Sequence, residues 1–206
     1  ITLFGQAVAR YPEREVAHLN LAGQLIRHGD FSSARAHLEK ALAIDGNLVE
    51  ALIASGQIDL REDRPEEALQ KTERAITLAP EYGSIHLAYL LRAQAHKMMG
   101  SPELALKDLV LAAQRNSGYA PIYHEQGICY AMIGEHRAAL NSYSKARALG
   151  NNEPALLLNI AISQGWTGNY TASIGTLDEL LAKDQRSAEG WFLKGIALGR
   201  LGENGC

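Results

Sequence analysis

The sequence predicts an all-α fold in which one helical hairpin recurs along the chain. Small residues recur at an almost constant spacing of 34, 37, 34 and 34 residues: Ala34, Ala68, Ala105, Ala139 and Ser173. Two further series keep this spacing, namely Ala22, Gly56, Ala93, Gly127, Ala161 and Gly195, and Ala41, Ala75, Ala112 and Ala146. Each period also contains two stretches whose apolar residues recur at helical spacing. A period sustained in this way is typical of a solenoid of stacked repeats.

The first whole repeat shows how each unit is built. Leu21 and Leu25 lie at helical spacing before Gly29, and Ala34 and Leu38 lie at helical spacing after it. The glycine predicts the end of a first helix, and the aspartate that follows it predicts the N-cap of a second helix. The small residues let the two helices approach closely, and the hairpin must stack on neighbouring hairpins to bury its apolar faces.

The period divides the chain into whole repeats with a partial repeat at each end. Residues 1–14 are predicted to be the end of a preceding second helix, and residues 188–206 a first helix without its second. The whole repeats are 15–48, 49–82, 83–119, 120–153 and 154–187. We expect a single solenoid over residues 1–206 and, because both ends cut a repeat, a fragment of a longer protein.

The third repeat is irregular because it holds three extra residues, which is close to one helical turn. Its first helix is predicted to start a turn early, or the connection before it to bulge. Asp59, Arg92, His96 and Gln126 occupy first-helix positions that are apolar elsewhere. Two hypotheses remain open for them: a buried Asp59–Arg92 ion pair between first helices, or polar heads that reach solvent.

The stretch "QLIRHGDFSSARAHLEKALAID" holds His28, Asp30 and His37, which resemble the parts of a hydrolase site. In the other repeats unrelated residues occupy the equivalent places, so we expect outward-facing or capping roles, with Asp30 as an N-cap. The histidines show no HxxxH or HExxH spacing, and there is no CxxC motif. Cys129 lies on an apolar helical stretch and is predicted to be buried and inert. We therefore predict no catalytic, cofactor or metal site.

Composition excludes other classes of function. The net charge of −3 is dispersed along the chain, whereas a nucleic-acid-binding protein needs a clustered basic face. No apolar run approaches the roughly 18 residues of a membrane span. We expect a soluble protein, cytoplasmic or periplasmic.

The 34-residue period, the three small positions, the turn glycine and the closing Pro80 resemble the tetratricopeptide repeat family. The resemblance implies a right-handed superhelical α-solenoid of antiparallel helix pairs, whose first helices line a concave groove for a peptide or partner helix. The groove residues that it implies are Leu19, Asn20, Ile53, Gln57, Leu90, Gln94, His124, Ile128, Leu158, Asn159, Ile162, Trp166 and Phe192. The basic residues that would clamp an acidic chaperone tail are missing from these rows.

The C-terminal half of this groove is apolar, which predicts a protein or peptide partner with an apolar segment. The alternative is that these side chains pack against neighbouring first helices. We therefore expect a non-enzymatic interaction scaffold that helps assemble a complex. Two alternatives are a docking arm of a larger glycosyltransferase- or sulfotransferase-like enzyme, and an array that self-assembles through the uncapped, apolar C-terminal helix.

Overall fold

The structure, a computed structural model, describes residues 3–203. These residues form twelve α-helices and no β-strand, so the all-α expectation is confirmed. The helices are α1 (Leu3–Arg10), α2 (Glu15–Arg27), α3 (Phe31–Ile44), α4 (Val49–Arg61), α5 (Pro65–Leu78), α6 (Ile85–Met98), α7 (Pro102–Arg115), α8 (Ala120–Met132), α9 (His136–Ala148), α10 (Pro154–Trp166), α11 (Tyr170–Lys183) and α12 (Ala188–Glu203).

The helices group into two compact units that divide after Arg115. In the first unit α2 packs on α3, α4 on α5 and α6 on α7, with α1 against α2. In the second unit α8 packs on α9 and α10 on α11, and α12 packs on α11. Each hairpin therefore joins helices that are adjacent in sequence, as the paired apolar patterns predict. The single solenoid over residues 1–206 stays a prediction.

Left-handed residues turn the chain between the helices of each hairpin. Gly29, Gly100, Gly134 and Gly168 have φ angles from 73° to 80°, a region that a residue without a Cβ enters freely. In the second repeat Asp63 takes this place with φ 57°, and aspartate is one of the few other residue types that tolerate it. The same turn therefore forms in every hairpin, although the residue differs.

The small residues of the repeat lie where two helices touch. Ala34, Ala68, Ala105 and Ala139 have no exposed surface. On α8 a Cβ added to Gly127 would overlap the ring of Tyr143, which occupies the space that the glycine leaves. Close approach of the paired helices is thus the physical reason for the small residues.

The extra residues of the third repeat lie mainly in the connection before its first helix. Residues 79–84 join α5 to α6, whereas residues 45–48 and 116–119 make the equivalent connections elsewhere. Helix α6 itself gains only one residue at its start, Ile85, relative to the other first helices. The bulging connection is therefore confirmed, and the start a full turn early is wrong.

The Asp59–Arg92 pair is wrong, although both residues do form ion pairs. Arg92 Nε donates to Asp108 Oδ2 at 2.9 Å, and Asp59 pairs with Arg35, Arg64 and Lys71. Asp59 and Asp108 therefore each pair with basic side chains outside their own helices, and neither aspartate links the first helices α4 and α6. The solvent-reaching alternative is also wrong for Asp59, whose side chain is fully buried.

Candidate partner-binding site

The apolar groove residues predicted in the first unit pack against the core. Ile53 is 8% exposed and Leu90 is 5% exposed, and Leu19 packs against the core cluster that contains Ala22 and Leu38. Asn20 is exposed, and Gln57 and Gln94 are half-buried. The apolar side chains of this row therefore offer little surface to a partner.

In the second unit two predicted residues contact each other. Asn159 Nδ2 on α10 lies 3.0 Å from His124 Nε2 on α8. The His124 ring meets the edge of the Tyr143 ring at a centroid distance of 6.0 Å, and burial raises the pKa of Tyr143. This polar contact links α8 to α10, and both side chains remain only partly buried.

Leu158 and Ile128 are half-buried. Leu158 packs against a core cluster that includes Leu157, Ala161 and Leu177. Leu158 is therefore partly buried against its own helix and α11, and its place in a groove stays a prediction.

Two aromatic residues of the predicted set remain outside the core. Trp166 is 73% exposed and Phe192 is 68% exposed. The Trp166 indole lies parallel to the His136 ring with centroids 5.3 Å apart. Because one face rests on His136, the indole is held in place while much of its surface stays open to a partner.

Beside Trp166 lies a cavity of about 360 Å³, which we term the α10–α12 cleft. Helix α10 contributes Ile162, Gly165 and Trp166 to its wall, and α12 contributes Leu193, Ile196 and Arg200. Its volume is at the lower end of the roughly 300–1,000 Å³ that is typical of ligand pockets. The cleft can therefore hold a few side chains of a partner.

Helix α11 completes the wall with Tyr170 and Ser173. Ser173 stands where the other repeats have alanine, and its Oγ donates to the Ala161 carbonyl at 2.8 Å. Since this hydroxyl is already bonded, it adds little polarity. The wall is largely apolar, and Arg200 is the one charged residue among those that line it.

Gly165 is not among the groove residues that the sequence predicts. In earlier repeats Ile26, Leu60, Lys97 and Ala131 occupy the equivalent place, whereas a Cβ at Gly165 would have no heavy atom within 4 Å. The missing side chain leaves the cleft open. The repeat alignment carries this signal, because a place that holds a side chain in every earlier repeat becomes a glycine.

The three residues that resemble a hydrolase site have separate roles. Asp30 Oδ1 accepts from the Ser33 amide at 3.0 Å, which confirms the N-cap, and the bonds from Ser33 lower the pKa of Asp30. His28 is exposed at the end of α2.

His37 instead contacts His18, with Nδ1 to Nδ1 at 2.8 Å. The ring centroids are 5.1 Å apart, with an interplanar angle of 29°. His18 Nε2 must donate to the Pro12 carbonyl, 3.0 Å away, because a carbonyl can only accept. In the neutral pair His37 Nδ1–H therefore donates to His18 Nδ1.

Residues 3–203 contain no group of three or more histidine, cysteine, aspartate or glutamate side chains that could hold a metal ion. Cys129 is buried, and Cys206 lies outside the described residues. None of the described helices is both long and apolar enough to cross a membrane.

Comparison with known proteins agrees with the helical geometry. Residues 24–83 match the sequence model of the tetratricopeptide repeat. The fold is that of tetratricopeptide repeats. The resemblance inferred from the period is therefore confirmed. No curated protein matches this chain by sequence.

Several solved tetratricopeptide repeat structures are similar. YrrB, described as a repeat protein with an unusual peptide-binding site, is 20% identical, with a TM-score of 0.67 over 94% of this chain and 98% of its own. PilW, a type IV pilus biogenesis factor, is 20% identical, with a TM-score of 0.83 over 92% of this chain and 87% of its own. TTC0263 of Thermus thermophilus is 24% identical, with a TM-score of 0.71 over 89% of this chain and 98% of its own. At these identities the likeness concerns the fold.

Proposed function

We propose that this tetratricopeptide repeat protein is a non-catalytic interaction scaffold, and that the second unit binds an apolar segment of a protein or peptide partner. One observation carries the proposal: Trp166 on α10 and Phe192 on α12 are each more than half exposed. Large contiguous apolar surfaces are uncommon on soluble proteins and often mark binding sites. Aromatic residues are also enriched among the residues that dominate binding energy.

The similar structures support this role without naming a partner. YrrB is described as having a peptide-binding site, and Cut9 was solved in complex with Hcn1 as part of the APC/C. The same fold thus presents peptide- and protein-binding surfaces in other chains. In the present chain the second unit offers such a surface through its exposed aromatic side chains.

The proposal is tested by removing the exposed aromatic surface. The Trp166→Ser/Phe192→Ser double variant is expected to weaken binding of a purified partner by at least tenfold, because alanine-type truncations at such anchors cost about 2 kcal/mol or more. The partner is first captured by cross-linking to the wild-type chain, and its affinity is then measured by isothermal titration calorimetry. Leu158 is unsuitable for this test because its side chain packs in the core.

The control is Ile44→Ser/Leu78→Ser, which removes two apolar side chains, 45% and 41% exposed, from second helices of the first unit. This control should retain wild-type affinity, and circular dichroism should show the same helicity for both variants. Equal affinity of the Trp166→Ser/Phe192→Ser variant and the wild type would contradict the proposal.

Self-assembly is the second candidate because α12 exposes a further apolar face. Trp191 is 54% exposed and Leu198 is 50% exposed, and a Cβ on Gly195 would meet no heavy atom within 4 Å. Light scattering distinguishes the candidates. An oligomer that dissociates in the Trp191→Ser/Leu198→Ser variant would favour self-assembly, and a monomer at high concentration would exclude it.

A further inference from the structure

We propose that His18 on α2 and His37 on α3 together bind a divalent transition-metal ion, with Zn²⁺ as its probe, through their Nδ1 atoms. The site lies in the first unit and does not depend on the partner-binding surface proposed for the second unit. It is carried by the contact between the two ring nitrogens, by the orientation of His18 and by the restriction of this histidine pair to one repeat.

The burial and hydrogen bonding of His18 prepare it as a metal ligand. His18 is 3% exposed, and its Nε2 donates to the Pro12 carbonyl at 3.0 Å. Metal-bound histidines commonly donate their second ring N–H to a carbonyl in this way, which fixes the tautomer and the orientation of the ring. The lone pair of His18 is therefore on Nδ1, the atom that faces His37.

The two Nδ1 atoms meet between α2 and α3. They lie 2.8 Å apart, and the ring centroids are 5.1 Å apart. A tetrahedral zinc ion with Zn–N bonds of about 2.0–2.1 Å holds two ligand nitrogens about 3.3 Å apart and two imidazole centroids about 5.2 Å apart. The observed centroid distance agrees with this arrangement, so the rings can tilt to admit the ion while the helices keep their spacing.

Metal binding replaces the hydrogen bond between the rings. In the metal-free pair His37 Nδ1–H donates to His18 Nδ1, as the Pro12 contact requires. When the ion binds, Nε2 of His37 carries the proton instead, and both Nδ1 lone pairs face the metal. His37 is half-buried, so water can reach the ion on that side and complete the coordination that two protein ligands leave open.

The surroundings keep His37 in the neutral form that binds metal. Burial, His18 and Lys40 lower the pKa of His37, and a histidine must be neutral to act as a ligand. Lys40 is itself exposed, so solvent and salt screen its repulsion of a bound cation. The local charges are therefore compatible with a metal ion.

The histidine pair is specific to the first repeat. In place of His18 the later repeats carry apolar or aromatic residues: Leu52, Tyr89, Tyr123, Leu157 and Trp191. In place of His37 they carry Lys71, Asp108, Ser142 and Thr176. The later hairpins pack without a histidine in either place, so helix packing does not account for the pair. The two histidines lie 19 residues apart on different helices, and metal-ligand spacings along a single helix therefore do not include them.

Zinc titration of the full chain tests the site. Cys206 is replaced by serine in every protein, because a free thiol would compete for zinc. After treatment with a chelator, isothermal titration calorimetry should show one Zn²⁺ bound per chain. Excess Zn²⁺ should raise the midpoint of thermal unfolding by a few degrees, since a ligand that binds the folded chain stabilises it. Mg²⁺, which prefers oxygen ligands, should do neither.

Two variants each remove one ligand. His18→Leu introduces the residue that two later repeats carry at this place, and His37→Gln replaces the half-buried ring. Each should bind Zn²⁺ at least about tenfold more weakly, since loss of even an outer partner of a metal ligand costs about 10–100-fold. The matched control, His28→Gln, removes an exposed histidine of the same repeat and should keep the parent affinity.

NMR of the ring nitrogens tests the ligands without a substitution at either histidine. On addition of Zn²⁺ the His37 proton should move from Nδ1 to Nε2, while His18 keeps its proton on Nε2. A purely structural histidine pair would not show this change, and the measurement stands even where a variant fails to fold.

Four results would overturn the site: no Zn²⁺ binding by the parent chain, parent affinity in either His18→Leu or His37→Gln, an equal loss in His28→Gln, or an unmoved His37 proton.

Discussion

At the scale of single residues, Asp59 shows how a charge is held inside a helical repeat. Its Oδ1 accepts from Arg35 Nη2 at 2.9 Å, and its Oδ2 accepts from Lys71 Nζ at 2.5 Å. Arg64 Nη2 lies 3.2 Å from Oδ1. The bases are partly exposed while the carboxylate is not. One buried acid therefore joins α3, α4 and α5.

Replacing Asp59 by asparagine should destabilise the protein by about 2–4 kcal/mol. The substitution leaves Lys71 without its carboxylate partner and Arg35 and Arg64 with Glu62 alone. Breaking a buried pair costs about 3–5 kcal/mol when both charges are enclosed. Because the basic side chains are partly exposed, we expect a smaller loss of stability than for a fully enclosed pair. Urea denaturation measures it, and Asp63→Asn, in the exposed turn, should stay within about 0.5 kcal/mol of the wild type.

At the scale of helices, the same small position of the repeat has two different environments. Gly127 on α8 faces the Tyr143 ring on α9, which fills the space that a Cβ would need. Gly195 on α12 is its equivalent, and it faces open space. Sequence spacing makes the two positions identical, but only one of them has a helix packed against it within the described residues.

Gly127→Ala should therefore destabilise the protein by about 1–3 kcal/mol, since overpacking displaces the tyrosine ring or its helix. Gly195→Ala should instead be neutral or stabilise the protein by up to about 1 kcal/mol, because alanine has the higher helix propensity. Thermal denaturation of the two variants compares them directly. Similar effects of both substitutions would contradict the packing of Tyr143 on Gly127.

At the scale of the whole molecule, the free energy of unfolding should depend on pH through buried histidines. Burial lowers the pKa of His37, and the nearby His18 and Lys40 lower it further. Burial also lowers the pKa of His86. A lowered pKa favours the neutral ring in the folded state. The stability that the neutral ring contributes is therefore complete above a pH of about 6.5, the ordinary pKa of histidine. This stability is lost as the pH falls through the lower pKa values of the folded state.

We expect the protein to lose stability as the pH falls from about 7 to about 5, and His37→Gln to lose less over this range. Glutamine keeps a donor towards His18 but has no proton to gain. Urea denaturation at several pH values measures the slope, and NMR titration of the His37 ring gives its pKa. A His37 pKa above about 6.5, the ordinary value, would contradict the environment described for this ring.

The sequence by itself determined the helical hairpins, their order and their turns, because these depend on local chemistry that each repeat carries. Residue type alone indicates close packing at Ala34, a left-handed turn at Gly29 and an N-cap at Asp30. At Asp63 the same turn forms without glycine. The groove residues that the family resemblance implied included Ile162 and Trp166, which line the α10–α12 cleft.

Tertiary structure decided which of those residues are accessible and which charges pair. Ile53, Leu90 and Phe192 occupy one row of the repeat, yet neighbouring helices bury the first two and leave Phe192 exposed. Asp59 and Arg92 each form ion pairs with residues other than the expected one. His18 contacts His37, which lies 19 residues away in the sequence. Burial and pairing depend on which side chains from distant segments meet. The 34-residue period does not predict these contacts at positions where the repeats have different residues.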